Sequence, residues 1–159
     1  MSGAFDDALD LKVPPLVLFV CCAVLGWSLG RYLPLLPLPV DGAWTWIARG
    51  LLVVALALLL ASQWAFYRGR TTVNPTNPAA ARRLLTGGVF AVSRNPVYLA
   101  MLITLVALAL RQGQGAGLLA AALFFGWVTR WQIVPEERAL AERFGEDYRR
   151  YCARVRRWL

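Results

Sequence analysis

Histidine is absent from the 159 residues, lysine occurs once (Lys12), and only 16% of the chain is charged. Without histidine there is no imidazole base, no Ser-His-Asp triad and no His-ligated zinc or haem. Cysteine is scarce too: Cys21 and Cys22 lie in an apolar run and Cys152 lies among arginines. That spacing suits neither a metal site nor a disulfide framework, so all three read as packing residues and no metal is expected. Polar residues are also too few. With 58% hydrophobic residues and a mean hydropathy of +0.52, a chain of this length cannot cover the surface of a soluble domain, and it reads as one membrane domain. Acids are outnumbered, 9 against 17 basic residues, giving +8. A nucleic-acid binder can carry that balance, but here the basic residues stand in blocks beside apolar runs, which points to membrane lipids and not to nucleic acid.

The hydropathy pattern predicts an all-α, polytopic protein with four transmembrane helices over about 13–32, 44–66, 96–110 and 116–134. The first run follows Asp6, Asp7 and Asp10 and no A-x-A site follows it, so it reads as a retained span and not a signal peptide. Pro14 and Pro15 suit its start. Residues 33–42, rich in proline and glycine, form a short external loop. Trp44, Trp46, Trp64 and Tyr67 bracket the second span as an aromatic belt, with Arg49 as an anchor near its end. Residues 68–95 carry Arg68, Arg70, Arg82, Arg83 and Arg94 and no acid, the signature of a cytoplasmic loop. A turn at Arg111 to Gly115 joins the last two spans as a hairpin. Eight arginines follow Thr129, so both ends of the sequence are expected on the cytoplasmic side, in what composition suggests is a bacterial inner membrane. Leu140, Phe144, Tyr148, Tyr151 and Val155, spaced three and four apart, predict a C-terminal amphipathic helix lying on the membrane.

Two cytoplasmic elements, 68–95 and 135–159, then hold most of the chemistry-bearing residues. Taken singly, Asn95-Pro96 reads as an N-capped helix start, and Pro135-Glu136-Glu137 as a span end that opens a dipole-stabilised helix. Together they say more. Gly87 and Gly88 allow a tight turn with close backbone approach before Phe90, and Gln132 lies one turn before Glu136, as Arg130 lies two turns before Glu137. Polar groups at the end of an apolar helix are functional candidates.

The ordered set Thr86-Gly87-Gly88-Val89-Phe90, Ser93-Arg94-Asn95-Pro96-Val97-Tyr98, Glu136-Glu137-x-x-Leu140 and Phe144-Gly145-x-x-Tyr148-x-x-Tyr151 resembles the isoprenylcysteine carboxyl methyltransferases and their relatives, the phospholipid methyltransferases. The match runs from Thr71 onward. The resemblance implies a membrane-embedded enzyme that uses S-adenosylmethionine and methylates a lipophilic acceptor entering from the bilayer, with carboxyl O-methylation of an isoprenylcysteine-like carboxylate first among the acceptor chemistries. It also implies cofactor contacts at Asn74, Leu84, Leu85, Phe90, Arg94, Asn95, Pro96, Val97, Tyr98, Glu136 and Glu137, and substrate contacts at Arg130 and Gln132. The ring faces of Phe90 and Tyr98 suit a sulfonium, Glu136 suits an amino group or ribose hydroxyls, and Arg82, Arg83 or Arg94 suits the cofactor carboxylate. Three positions depart from the pattern. Asn95 stands where many relatives have histidine, Phe90 lacks a tyrosine hydroxyl, and Gln132 stands where the prenylcysteine enzymes have a substrate-binding arginine. Two other readings compete: an NADPH-dependent sterol-type reductase, its 2′-phosphate held by the arginine-rich loop, and a non-enzymatic membrane scaffold.

Overall fold

The computed structural model describes residues 10–33, 37–38, 42–70 and 83–159, and every extended element among them is helical. In chain order these are α1 (Pro15–Tyr32), α2 (Gly42–Gly69), a 3₁₀ turn (Gly88–Ala91), α3 (Pro96–Gln112), α4 (Gly117–Val128), a π-helical turn (Thr129–Ile133) and α5 (Val134–Arg154). Three helical stretches are long and apolar enough to cross a membrane: α1, α2 and the continuous path from Gly117 to Arg154. The shorter α3 is apolar as well. The protein is an integral membrane protein.

Small residues set how the helices meet. Besides Pro15 at its start, the buried positions on α1 are Cys22, Gly26 and Gly30, one every four residues, and α1 lies against α4 and α3. A β-carbon on Gly26 would stand 3.4 Å from the Gly117 carbonyl, so the α1 and α4 backbones nearly touch, as small residues permit between helices in lipid. On α2 only Ala48, Ala55 and Ser62 are buried, seven apart, which seats one narrow edge on α3 and leaves Val53, Leu56 and Leu60 facing outward. Hydroxyls inside the apolar helices bond back to their own backbone: Ser62 donates to the Leu58 carbonyl at 2.6 Å and Thr104 to that of Ala100 at 2.8 Å. Arg49 lies 4.8 Å above the Trp46 ring, consistent with an anchoring role near the helix end.

The α3–α4 hairpin turns at Gly113, whose φ of 69° places it in the left-handed region. There Pro37 pairs with Gln114, and the Leu38 amide donates to the Gly113 carbonyl at 2.9 Å. Pro37 and Leu38 and the hairpin turn therefore share one end of the bundle, leaving the start of α3 and the end of α4 at the other.

Pro135 does not end the helix, as the sequence suggested it would. In regular α geometry its missing N–H would orphan the Trp131 carbonyl. Instead the path widens into the π turn, with the Val134 amide donating to Thr129, and the Trp131 carbonyl accepts the Leu11 amide at 3.0 Å. Further on, Gly145 (φ 50°, ψ −118°) kinks α5. Beyond the kink Tyr148, Tyr151 and Val155 are buried among Leu84, Leu140 and Phe144. The apolar side expected to meet a membrane surface is thus turned onto the chain itself.

Candidate functional site

The polypeptide before α3 is fixed from two sides. Gly88 supplies a φ of 61° for the turn, and Phe90, 8% exposed, presents its ring edge-on to Phe66 of α2 at 5.4 Å. Tyr151 donates its hydroxyl to the Phe90 carbonyl at 2.6 Å, tying this turn to the far arm of α5. Asn95 occupies the N-cap position of α3, but its side chain does not cap. Its Nδ2 donates to the Arg157 carbonyl at 3.0 Å, while buried Ser93 accepts the Asn95 amide at 3.1 Å. The N-capping role expected of Asn95 is therefore corrected. The segment after α5 competes successfully for its amide.

Two turns meet where Tyr98, in the first turn of α3, faces the π turn. Its hydroxyl donates to Glu136 Oε1 at 2.5 Å, and Gln132 Nε2 donates to the same oxygen at 3.0 Å. Tyr98 and Gln132 are buried, at 7% and 4% exposure. The second Glu136 oxygen takes no donor from the described residues, and no arginine among them pairs with this carboxylate. Hydrogen-bonded but uncompensated in charge, a carboxylate in such a place suits a cationic or hydroxyl-bearing ligand group.

Glu137, one residue on, is fully engaged. It accepts Arg157 bidentately, from Nε at 3.1 Å and from a terminal nitrogen at 2.7 Å, and it pairs with Arg94 at 3.1 Å. Arg94 also donates to Cys152 Sγ, and its backbone amide donates to the Arg156 carbonyl at 3.1 Å. The contact with Glu137 pushes the Arg157 guanidinium still higher than its usual range. These links clip residues 156–158 across the start of α3, and Trp158 completes the clip by packing on Phe125 with ring centres 4.9 Å apart.

The sequence-derived site residues thus fall into groups. Phe90, Arg94, Asn95, Pro96, Tyr98, Gln132, Glu136 and Glu137 converge at one end of the bundle. Leu84 packs beside Tyr148 and Tyr151 in the adjoining cluster; Leu85 and Val97 are half-buried nearby. Asn74 and Arg82 lie outside the described residues. Arg83 is exposed. Arg130 faces Asp10, 3.9 Å distant, which also faces Arg138 at 3.9 Å. Sequence reasoning missed Cys152, Arg157 and Trp158, and it named Ser93 only as part of a motif. Arg157 was one of eight arginines in its region, and only the acid it pairs with distinguishes it. Among the described residues no cluster of acids and cysteines is able to hold a metal.

The sequence profile of the phospholipid methyltransferase family matches residues 44–147, about two thirds of the chain, from α2 into α5, with α1 and the 156–158 clip outside the match. The chain belongs to the phospholipid methyltransferase family. This family, with which the isoprenylcysteine enzymes are grouped, makes the protein a membrane methyltransferase and bears out the resemblance carried by the motifs. An uncharacterized protein of Haemophilus influenzae is 40% identical over 63 residues, 40% of this chain and the whole of that one. No solved structure matches. The family match weighs against the reductase and scaffold readings.

Proposed function

We propose that this phospholipid methyltransferase family member transfers a methyl group from S-adenosylmethionine to a lipophilic acceptor, with the cofactor bound at the Tyr98–Gln132–Glu136 cluster. One observation carries the reading: Glu136 is held by two buried neutral donors on one oxygen and keeps the other open. That donor set fits the cofactor's amino group or ribose hydroxyls. The rings of Phe90 and Tyr98 supply apolar, electron-rich faces near it, and Asn95, its amide nitrogen committed to Arg157, keeps its oxygen as an acceptor. When bound, S-adenosylmethionine supplies an electrophilic methyl group on a sulfonium centre. The chain's own residues then work by positioning and by excluding water, which suits a site without a histidine base. Arg94 and Glu137 pair with each other in the clip, Arg83 or Arg94 would meet the cofactor carboxylate, and Leu84 and Leu85 would contact the cofactor, as the resemblance implies.

The resemblance puts a carboxylate acceptor first, but a specific observation favours an amine. A carboxylate calls for a cation, whereas Gln132 is neutral and Arg130 turns to Asp10. An amine delivered beside Glu136 meets a complementary charge. In the membrane we place α1, α2, α3 and the stretch 117–134 as four spans, with the clip and the arginine-rich segments on the cytoplasmic side of a bacterial inner membrane.

Calorimetric titration of the purified full chain in lipid nanodiscs with S-adenosylmethionine and its demethylated product tests the reading. Saturable binding of both, weakened at least tenfold in a folded Glu136→Ala variant, is expected. Absence of binding by either, with Glu136→Ala indistinguishable from wild type, overturns it. Transfer of labelled methyl to amine-headgroup lipids, compared with prenylcysteine acceptors, separates the two acceptor chemistries.

A further inference from the structure

At the end of the bundle away from Tyr98, a cavity of about 360 Å³ lies between α1, α3 and α4. We infer that it binds one anionic lipid, with an acyl chain in the cavity and the headgroup against Arg111. The volume is within the range of small-molecule sites, about 300–1,000 Å³. Small residues make up much of its wall, with Ala23 and Gly26 on α1 facing Ala109 on α3 and Gly117 on α4. Its rim residues Trp27 and Leu108 are 59% and 39% exposed, so the cavity opens sideways, toward hydrocarbon when the protein is in a bilayer. Its lining is mostly apolar, with Arg111 and Gln112 the polar side chains at the α3 end, and the Gln112 amide nitrogen already donates to the Trp27 carbonyl at 2.9 Å.

Arg111 supplies the selectivity. It is exposed in the last turn of α3, and no carboxylate among the described residues pairs with it. A bare helix-end cation is explained by the helix dipole alone. A cation at the mouth of a lipid-facing cavity has a further partner of opposite charge in an anionic headgroup, by the same attraction of opposite charges that draws basic residues to anionic lipid. The site is separate from the methyl-transfer site. Gln112 lies 14 residues beyond Tyr98 on the same helix, about 21 Å away, and the inference does not rest on the methyltransferase reading.

The test uses the full chain in nanodiscs and Trp27 fluorescence, isolated by difference against Trp27→Phe, with brominated phosphatidylglycerol or brominated phosphatidylcholine as the quenching lipid. Half-maximal quenching is expected at about fivefold lower mole fraction of the anionic lipid, the factor one basic residue near a headgroup confers. Arg111→Gln equalises the two lipids, and Ala23→Leu, which fills the cavity, removes the saturable component. Helicity and S-adenosylmethionine titration confirm that both variants are folded and leave the other site intact. Equal quenching by the two lipids in the wild-type protein, an anionic preference that survives Arg111→Gln, or protection of Trp27 from both lipids by a second copy of the chain overturns the inference.

Discussion

Replacing Glu137 with alanine removes the acceptor shared by Arg94 and Arg157 and leaves two guanidinium groups facing each other across the α3–α5 junction. Breaking a fully buried ion pair from one side costs about 3–5 kcal/mol. Here the side chains of Arg94 and Glu137 are 14% and 16% exposed, which keeps most of that figure, but Arg157 is 37% exposed, so solvent screens its share. The expected loss is therefore about 2–3 kcal/mol. It is measured by reversible unfolding in mixed micelles, alongside a double-mutant cycle with Arg157→Ala, for which a coupling of about 1 kcal/mol is expected. Hydrogen exchange gives an independent readout. The Arg94 amide, bonded to the Arg156 carbonyl, should lose protection as the clip opens, while amides in the middle of α2 should not change. A loss below about 0.5 kcal/mol, the range of an ordinary surface substitution, with unchanged exchange at Arg94, would refute the account of the clip.

Tyr98→Phe keeps the buried ring and deletes the hydroxyl bonded to Glu136; S-adenosylmethionine affinity measured by calorimetry should fall about tenfold, as for loss of a hydrogen bond to a charged group, and an unchanged affinity would detach Tyr98 from the site. Gly30→Ala places a methyl group against the Gln112 side chain and should cost about 1–3 kcal/mol in the same unfolding assay. Adding Gln112→Ala should recover much of that loss, and no recovery would mean that the clash lies elsewhere. Gly145→Ala should destabilise more than Gly88→Ala. Both glycines have positive φ and open space around the missing methyl, but ψ at Gly145 is −118°, away from the left-handed helical region that other residues can enter. Equal losses would show that the α5 kink is not held by Gly145.

The membrane helices were legible because their cause is local. Lipid requires long apolar runs, and those runs stand in the sequence between prolines, glycines and arginines, so observed helix ends fall within about three residues of the expected ones except where the fourth stretch continues into α5. The convergence of Tyr98, Gln132 and Glu136 was legible from motif order together with helical spacing. The clip was not. Nothing near Arg157 in sequence marks it from Arg156 or Arg154; its partner Glu137 is 20 residues earlier and comes within reach only because Gly145 bends the chain back. Asn95 misled for a related reason. A side-chain cap is the local solution at a helix start, and it was displaced by a carbonyl 62 residues away. The π turn was hidden as well, since Pro135 announces an orphaned carbonyl without saying that the Leu11 amide will satisfy it.

That π turn makes the site a matter of register. It adds, in effect, one residue to a continuous helix, and each residue turns an α-helix by about 100°. Deleting one residue from the π turn, such as Arg130, would swing Glu136, Glu137 and all of α5 by that angle relative to α3, parting Tyr98 from its carboxylate and Arg94 from its own while leaving Tyr98, Gln132, Glu136 and Glu137 themselves in the sequence. A substitution here leaves that register intact; a single insertion or deletion does not.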